Sequence, residues 1–178
     1  VLAEGFCKQA IRLAAGAKKK VLVDPSLISD YSKYAGATLI TPNRQETRLV
    51  VGFEIKTIED AARAAKQLVQ KLKLETIVIT LDKEGAYLQS PDLNEHVPTR
   101  PRNVYDVTGA GDTVLATLAL TLAAGCDYKT AVQLSNIAGG IEVEKFGGAT
   151  VTIDEVITEI AYLNRSSEGK LRSVDSLL

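Results

Sequence analysis

The sequence predicts an α/β fold built on a doubly wound, mostly parallel sheet. Three observations carry that expectation. The short runs KVLVD (20–24), ATLIT (37–41) and TIVIT (76–80) are apolar without alternation, the pattern of strands buried on both faces. Two of them close on proline, Pro25 and Pro42, which ends a buried strand. Longer stretches with apolar residues at helical spacing separate or follow these runs, and that alternation makes a sheet covered by helices.

In chain order, FCKQAIRLAAGA (6–17) reads as a helix stopped by glycine and lysines, followed by the first strand at 20–24. After the second strand at 37–41, a helix is expected from 43 to about 51. TIEDAARAAKQLVQKLKL is a strong amphipathic helix with Thr57 as N-cap and acids in its first turn. TIVIT is the third strand, and LDKEG turns it into a fourth, AYLQ. Further strands are expected at 95–99 and 102–105, where His96 reads as a solvated residue of a polar strand. Helices then start near Ala110, at Tyr128 and at the capping box Thr152-Ile-Asp-Glu155. The polar stretch 166–178 reads as a linker, leaving 1–165 as one domain.

The bulk numbers narrow the function. A chain of 178 residues, 46% apolar and 24% charged, suits one globular domain with its own core. A net charge of −1 gives no general attraction to nucleic acid or an anionic membrane, so any anion site must be local. Cys7 and Cys126 fit no metal or redox spacing and are expected as free thiols. The apolar run 114–124 is about half of the ~20 residues a span requires, and no signal-peptide pattern is present. A cytoplasmic location is expected. The chain starts at Val1 and contains no methionine, so a piece of something longer is expected.

The chemistry concentrates in YDVTGAGDTVLATLALTLAAG (105–125). The first N–H groups of a helix have no intrahelical partner, and the macrodipole adds partial positive charge there. Gly109, Ala110 and Gly111 are too small to cover those donors, so a phosphate can approach to hydrogen-bonding distance. No G-x-x-x-x-G-K-[ST] occurs, and Gly109-x-Gly111 lacks the third glycine of a dinucleotide fingerprint. What remains is a short anion cradle with Asp112 inside it. A carboxylate there makes sense if it accepts a proton from an attacking hydroxyl. Phosphoryl transfer asks for positioning and charge stabilisation more than for a strong base. The bland alternative is that Asp106 and Asp112 only decorate a helix start.

Asn43 and Glu46, three apart at a helix start, suit a hydrated Mg²⁺ held against phosphates. They equally suit an N-cap and its capping-box partner. Thr80 and Gly85 bracket a turn that reads either as a phosphate or ribose contact or as a plain hairpin. Asp24, Asn43, Glu46, Thr80 and Asp106 each follow a strand, which would bring them to one sheet edge.

Taken together and in this order, Asn43-x-x-Glu46, Thr80 to Gly85 and Asp106-Val107-Thr108-Gly109-Ala110-Gly111-Asp112 resemble the ribokinase-like (PfkB) carbohydrate kinases. VLVDPS, YAGATLITPNRQE and SNIAGGIEVEKFGGATV are most similar to the heptose 7-phosphate kinase domains of bifunctional ADP-heptose synthases. GKLRSVDSLL is similar to the linker before their nucleotidyltransferase domain. The resemblance implies that Asp112 is the catalytic base, with the N–H groups of Gly109, Ala110 and Gly111 as the anion hole. It implies that Asn43 and Glu46 organise Mg²⁺, that Thr80 and Gly85 line the ATP site, and that Asn136 lies beside the adenine. Asp106 would hold the loop, near a monovalent cation that such kinases often bind. The acceptor implied is heptose 7-phosphate at its anomeric hydroxyl. Two departures stand out: Ser26 where those kinases usually carry lysine, and Asp82 where many relatives have glycine. The family's N-terminal part and β-strand lid have no counterpart in these residues, so the nucleotide half of a kinase is expected. Its partners would be the missing half or a second copy in a homo-oligomer, with a possible downstream nucleotidyltransferase domain. Two alternatives stay open: a kinase for another sugar or a nucleoside, and a non-catalytic nucleotide-binding or assembly module.

Overall fold

The computed structural model describes residues 4–100, 102–146 and 150–175. Helix α1 (Glu4–Gly16) leads to strands β1 (Leu22–Val23) and β2 (Leu39–Ile40). Helices α2 (Arg44–Val51) and α3 (Ile58–Leu72) follow, then β3 (Thr76–Thr80), β4 (Ala86–Gln89) and β5 (Asn94–Val97). The chain ends in α4 (Ala110–Ala123), α5 (Tyr128–Val143) and α6 (Ile153–Asp175). Among the described residues no helix is long and apolar enough to cross a membrane.

The five strands lie in chain order, β1-β2-β3-β4-β5. The pairs β1/β2 and β2/β3 are parallel, whereas β3/β4 and β4/β5 are antiparallel. The α/β class therefore stands, but the sheet is mixed rather than mostly parallel. The reason is local: the LDKEG turn reverses the chain at once, leaving no room for a crossover helix.

Alternation along the strands fills two cores. Ile40, Ile77, Ile79 and Tyr87 face a cluster with Cys7 and Ile11 of α1 and Ala61, Ala64, Leu68 and Leu72 of α3. Leu39, Val78, Ala86 and Leu88 face the opposite cluster, with Leu118 and Leu122 of α4 and Ala131 and Val132 of α5. Helix α3 begins at the expected N-cap, Thr57, which is one half of a capping box: the Asp60 N–H donates to Thr57 Oγ1 at 3.2 Å and the Thr57 N–H to Asp60 Oδ2 at 3.1 Å. Both cysteines are free thiols.

Three expectations are corrected. Residues 102–105 form no strand; the Tyr105 N–H donates instead to Val143 O, at the end of α5, at 2.8 Å. The stretch from 166, read as a linker, is helical as far as Asp175. His96 is half-buried, with Nε2 2.5 Å from Glu84 O, so it buttresses the β3–β4 turn.

Helix α4 is apolar nearly all round, yet only one face meets the sheet: Leu118 is 0% exposed and Leu120 64%. Leu118→Ala should cost about 2–4 kcal/mol of stability, and Leu120→Ala less than about 0.5 kcal/mol, both read from urea unfolding. Equal costs would mean that the outer face of α4 is covered in solution.

Candidate functional site

The parallel pairing of β1, β2 and β3 brings their carboxyl ends to one edge. Asp24, Asn43 and Thr80 stand there, just beyond β1, just beyond β2 and at the end of β3. Asn43 bridges Thr80 in a last parallel step, and the Thr80 N–H donates to Pro42 O at 3.0 Å. A cleft of about 400 Å³ opens above this edge. Of the residues singled out in the sequence, Asn43, Thr80, Asp82, Gly85, Ala110, Gly111 and Asn136 line it. Glu46, Asp106, Gly109 and Asp112 are not part of its lining, although Gly109 and Asp112 adjoin Ala110 and Gly111.

Gly85 closes the turn between β3 and β4 at φ +92°. A Cβ there would fall 2.7 Å from Thr99 N and collide with Val97 O, so only glycine lets the turn meet the strand exit. Arg44 fixes the same turn from α2, pairing with Asp82 at 3.1 Å and with Glu84. Asn136, on α5, donates through Nδ2 to Val97 O at 3.0 Å, which locks its amide against the cleft wall.

The glycine turn ahead of α4 has the open geometry its sequence suggests. Gly109 is the N-cap at φ 92°, and no side chain caps the helix. The Ala110 N–H makes a long 3.3 Å turn bond to Val107 O. Asp106 Oδ1 accepts from the Thr108 N–H at 2.9 Å, so its carboxylate shapes the turn. Glu142 of α5 is buried beneath Gly109, where a Cβ would lie 2.5 Å from its Oε1.

Asn43 and Glu46 form the capping box of α2: the Glu46 N–H donates to Asn43 Oδ1 and the Asn43 N–H to Glu46 Oε2, each at 2.9 Å. The same pair stands beside Asp24. Desolvation, then the Asp112 carboxylate, raises the Asp24 carboxyl above its ordinary value, partly offset by a hydrogen bond from Thr41. Desolvation also raises Glu46, with Asp24 adding to it against the Asn43 N–H. Tyr31 is fully buried, its hydroxyl has no hydrogen-bond partner, and both carboxylates add to the upward push that burial exerts on its phenol. Neither Asp24 nor Glu46 has an ion-pair partner among the described residues. Asp24 Oδ2 also lies 3.6 Å from the Cβ position of Gly111.

Sequence reasoning placed Asp24 at this edge but gave it no role. It missed Lys83, Arg100, Arg102, Gly139 and Gly140, all of which line the cleft. The tandem glycines were the available signal, since two adjacent glycines within a helix mark a close approach.

Residues 1–155 match the family model described as pfkB family carbohydrate kinase. The chain is 44% identical over 175 residues to the bifunctional protein HldE of Geotalea uraniireducens, covering 98% of the chain and 35% of that protein. It is 42% identical over 178 residues to the HldE of Pelobacter propionicus, covering 36% of it. The chain thus spans about a third of the length of the curated relatives it matches. Among solved structures, phosphofructokinase-2 from Escherichia coli in complex with potassium superposes with a TM-score of 0.80 at 23% identity, over 92% of this chain and 53% of that one. Ribokinase from Arabidopsis thaliana, complexed with ribose and ATP, gives 0.79 at 20% identity, over 88% and 52%. Those likenesses show that the fold is ribokinase-like.

The upward shift of Asp24 means that the folded chain holds this proton more tightly than the unfolded chain does. The resulting destabilisation is absent well below the unfolded value of 3.8 and complete once the pH has passed the folded value. Asp24→Asn should therefore raise Tm by about 1–2 °C near pH 7, discounted for solvent screening, and by nothing near pH 3. Differential scanning calorimetry at the two pH values checks this, and a lower Tm near pH 7 would contradict it.

Proposed function

This chain belongs to the pfkB family of carbohydrate kinases, and on that premise we propose that it is the nucleotide-binding portion of an ATP-dependent kinase acting on a sugar hydroxyl. The observation that carries the reading is the uncapped glycine turn of α4, set at a cleft above the carboxyl edge of the sheet. Relatives named HldE, with the segments that resemble heptose kinases, support heptose 7-phosphate as acceptor and heptose 1,7-bisphosphate as product. That product would serve ADP-heptose biosynthesis.

In this reading the N–H groups around Gly109, Ala110 and Gly111 face charge that builds on the transferred phosphoryl group. Asp112, in the first turn of α4, accepts the proton of the attacking hydroxyl and aims its oxygen. Thr80 and Gly85 flank the phosphates, while Asn136 and the Gly139–Gly140 wall border the base.

The donor set fits a divalent cation. Asp24 and Glu46 are carboxylates without an ion-pair partner among the described residues, and Asn43 stands at the same edge. Among the described residues no group of three or more His, Cys, Asp or Glu side chains forms a metal cage, so such an ion would have to draw its remaining ligands from water and phosphate. Asn43 and Glu46, with Asp24, would hold that ion, which neutralises phosphate charge when bound. A monovalent cation beside the Asp106 turn belongs to the same reading. So do the remainder of a longer protein, a downstream nucleotidyltransferase domain and a homo-oligomer as partners.

Asp112→Asn in the full-length protein should leave ADP affinity within about twofold of wild type and lower kcat by about 10²–10⁴. Turnover at the wild-type rate would remove Asp112 from the chemistry.

A further inference from the structure

We infer that α6 is a working part of the nucleotide cleft, and that Arg102, held by Glu159 of that helix and by Glu144, positions the phosphate-binding turn. The inference rests on the cleft being a nucleotide site.

Among the described residues between β5 and α4 there is no regular strand or helix, yet this segment delivers Asp106 and Gly109. Its backbone is tied to α5 at one spot, where the N–H groups of Tyr105 and Asp106 donate to Val143 O at 2.8 and 3.4 Å. Just upstream, Arg102 does the anchoring. Its side chain is 4% exposed; Nη1 donates to Glu144 Oε2 at 2.7 Å and Nη2 to Glu159 Oε1 at 2.9 Å. Arg100 Nε lies 2.7 Å from the same Glu159 oxygen, and its guanidinium sits over the Tyr162 ring of α6 at 5.7 Å. Two guanidinium groups and two carboxylates balance, so Arg102 and Glu159 can be buried without an uncompensated charge, while Arg100 and Glu144 keep about a third of their side chains in water.

Gly140 makes the arrangement possible. A Cβ there would lie 2.8 Å from both Cδ and Cζ of Arg102, so the guanidinium rests on bare helix backbone at the cleft wall. Arg102 Nε is buried without a hydrogen-bond partner among the described residues, a bond forgone to lie there. Loss of Glu159 would strip one of the two carboxylates from Arg102 and the paired carboxylate from Arg100. The guanidinium would then turn toward water and draw residues 102–107 with it. A lysine, a single point donor, cannot bridge two carboxylates in the fork geometry of arginine. Among the described residues no side chain of α6 lines the cleft itself, and Glu159 reaches it through Arg100 and Arg102, which do.

The test compares ADP with adenosine, each with Mg²⁺, by calorimetric titration of the full-length protein and its Arg102→Lys, Glu159→Gln and Glu159→Asp variants. A displaced phosphate turn should weaken ADP about tenfold or more in Arg102→Lys and Glu159→Gln while leaving adenosine within about twofold. Glu159→Asp should recover part of the loss, and the double variant Arg102→Lys/Glu159→Gln should be no weaker than the worse single one. Unchanged ADP affinity in both single variants overturns the inference. So does an equal loss for ADP and adenosine with a lowered Tm, which would make the network merely structural. Failure of the wild-type protein to bind ADP would instead remove the nucleotide reading on which the inference stands.

Discussion

Everything at the cleft depends on one unfinished hydrogen-bonding pattern. A helix must leave its first N–H groups without intrahelical partners, and most helices spend a side chain on them. Helices α2, α3 and α5 do so with Asn43, Thr57 and Asp127. Helix α4 starts instead at a glycine in the left-handed region with no side-chain cap. Its donors and its share of the macrodipole are left facing the edge where the parallel strands end. In the proposed reading an anion would complete that helix, and Asp112 in its first turn would act on what the anion meets.

The surrounding residues make this opening persist at some cost. Asp24 and Glu46 stand together with both carboxyls raised, and the buried hydroxyl of Tyr31 has no partner. A protein selected for stability alone would neutralise that cluster, so it is kept at a cost in stability. The wall opposite is built differently. Tandem glycines on α5 admit Arg102, and carboxylates from two helices hold it, so the loop ahead of α4 is anchored by side chains. One side of the cleft is thus set by strands and the other by long-range ion pairs.

That division explains what was legible in the sequence. TIVIT became a strand with the expected bounds because a continuous β-branched run between turn signals has few other uses. Helix α3 was equally clear, since its N-cap and apolar face agree. Asn43 and Glu46 carried two readings; the capping box is present, and Asn43, but not Glu46, lines the cleft. The run at 102–105 misled because a stretch of four residues does not say which partner takes its backbone groups; here it is the end of α5. The stretch from 166 misled for another reason, since polar composition reports exposure and not the absence of a helix. Arg102 and Glu159 were beyond reach. They lie 57 residues apart, and no periodicity links two charges that meet only once the sheet has stacked its helices.

The central claim is that the open end of α4 takes a phosphate. Amide chemical shifts of ¹⁵N-labelled protein, followed while Mg-ADP and then Mg-adenosine are added, test it most directly. The account predicts that Gly109, Gly111 and Asp112 shift with ADP and stay in place with adenosine, while Asn136 and Gly139 respond to both. Saturable ADP binding that leaves the amides of Gly109 to Asp112 unmoved would contradict it.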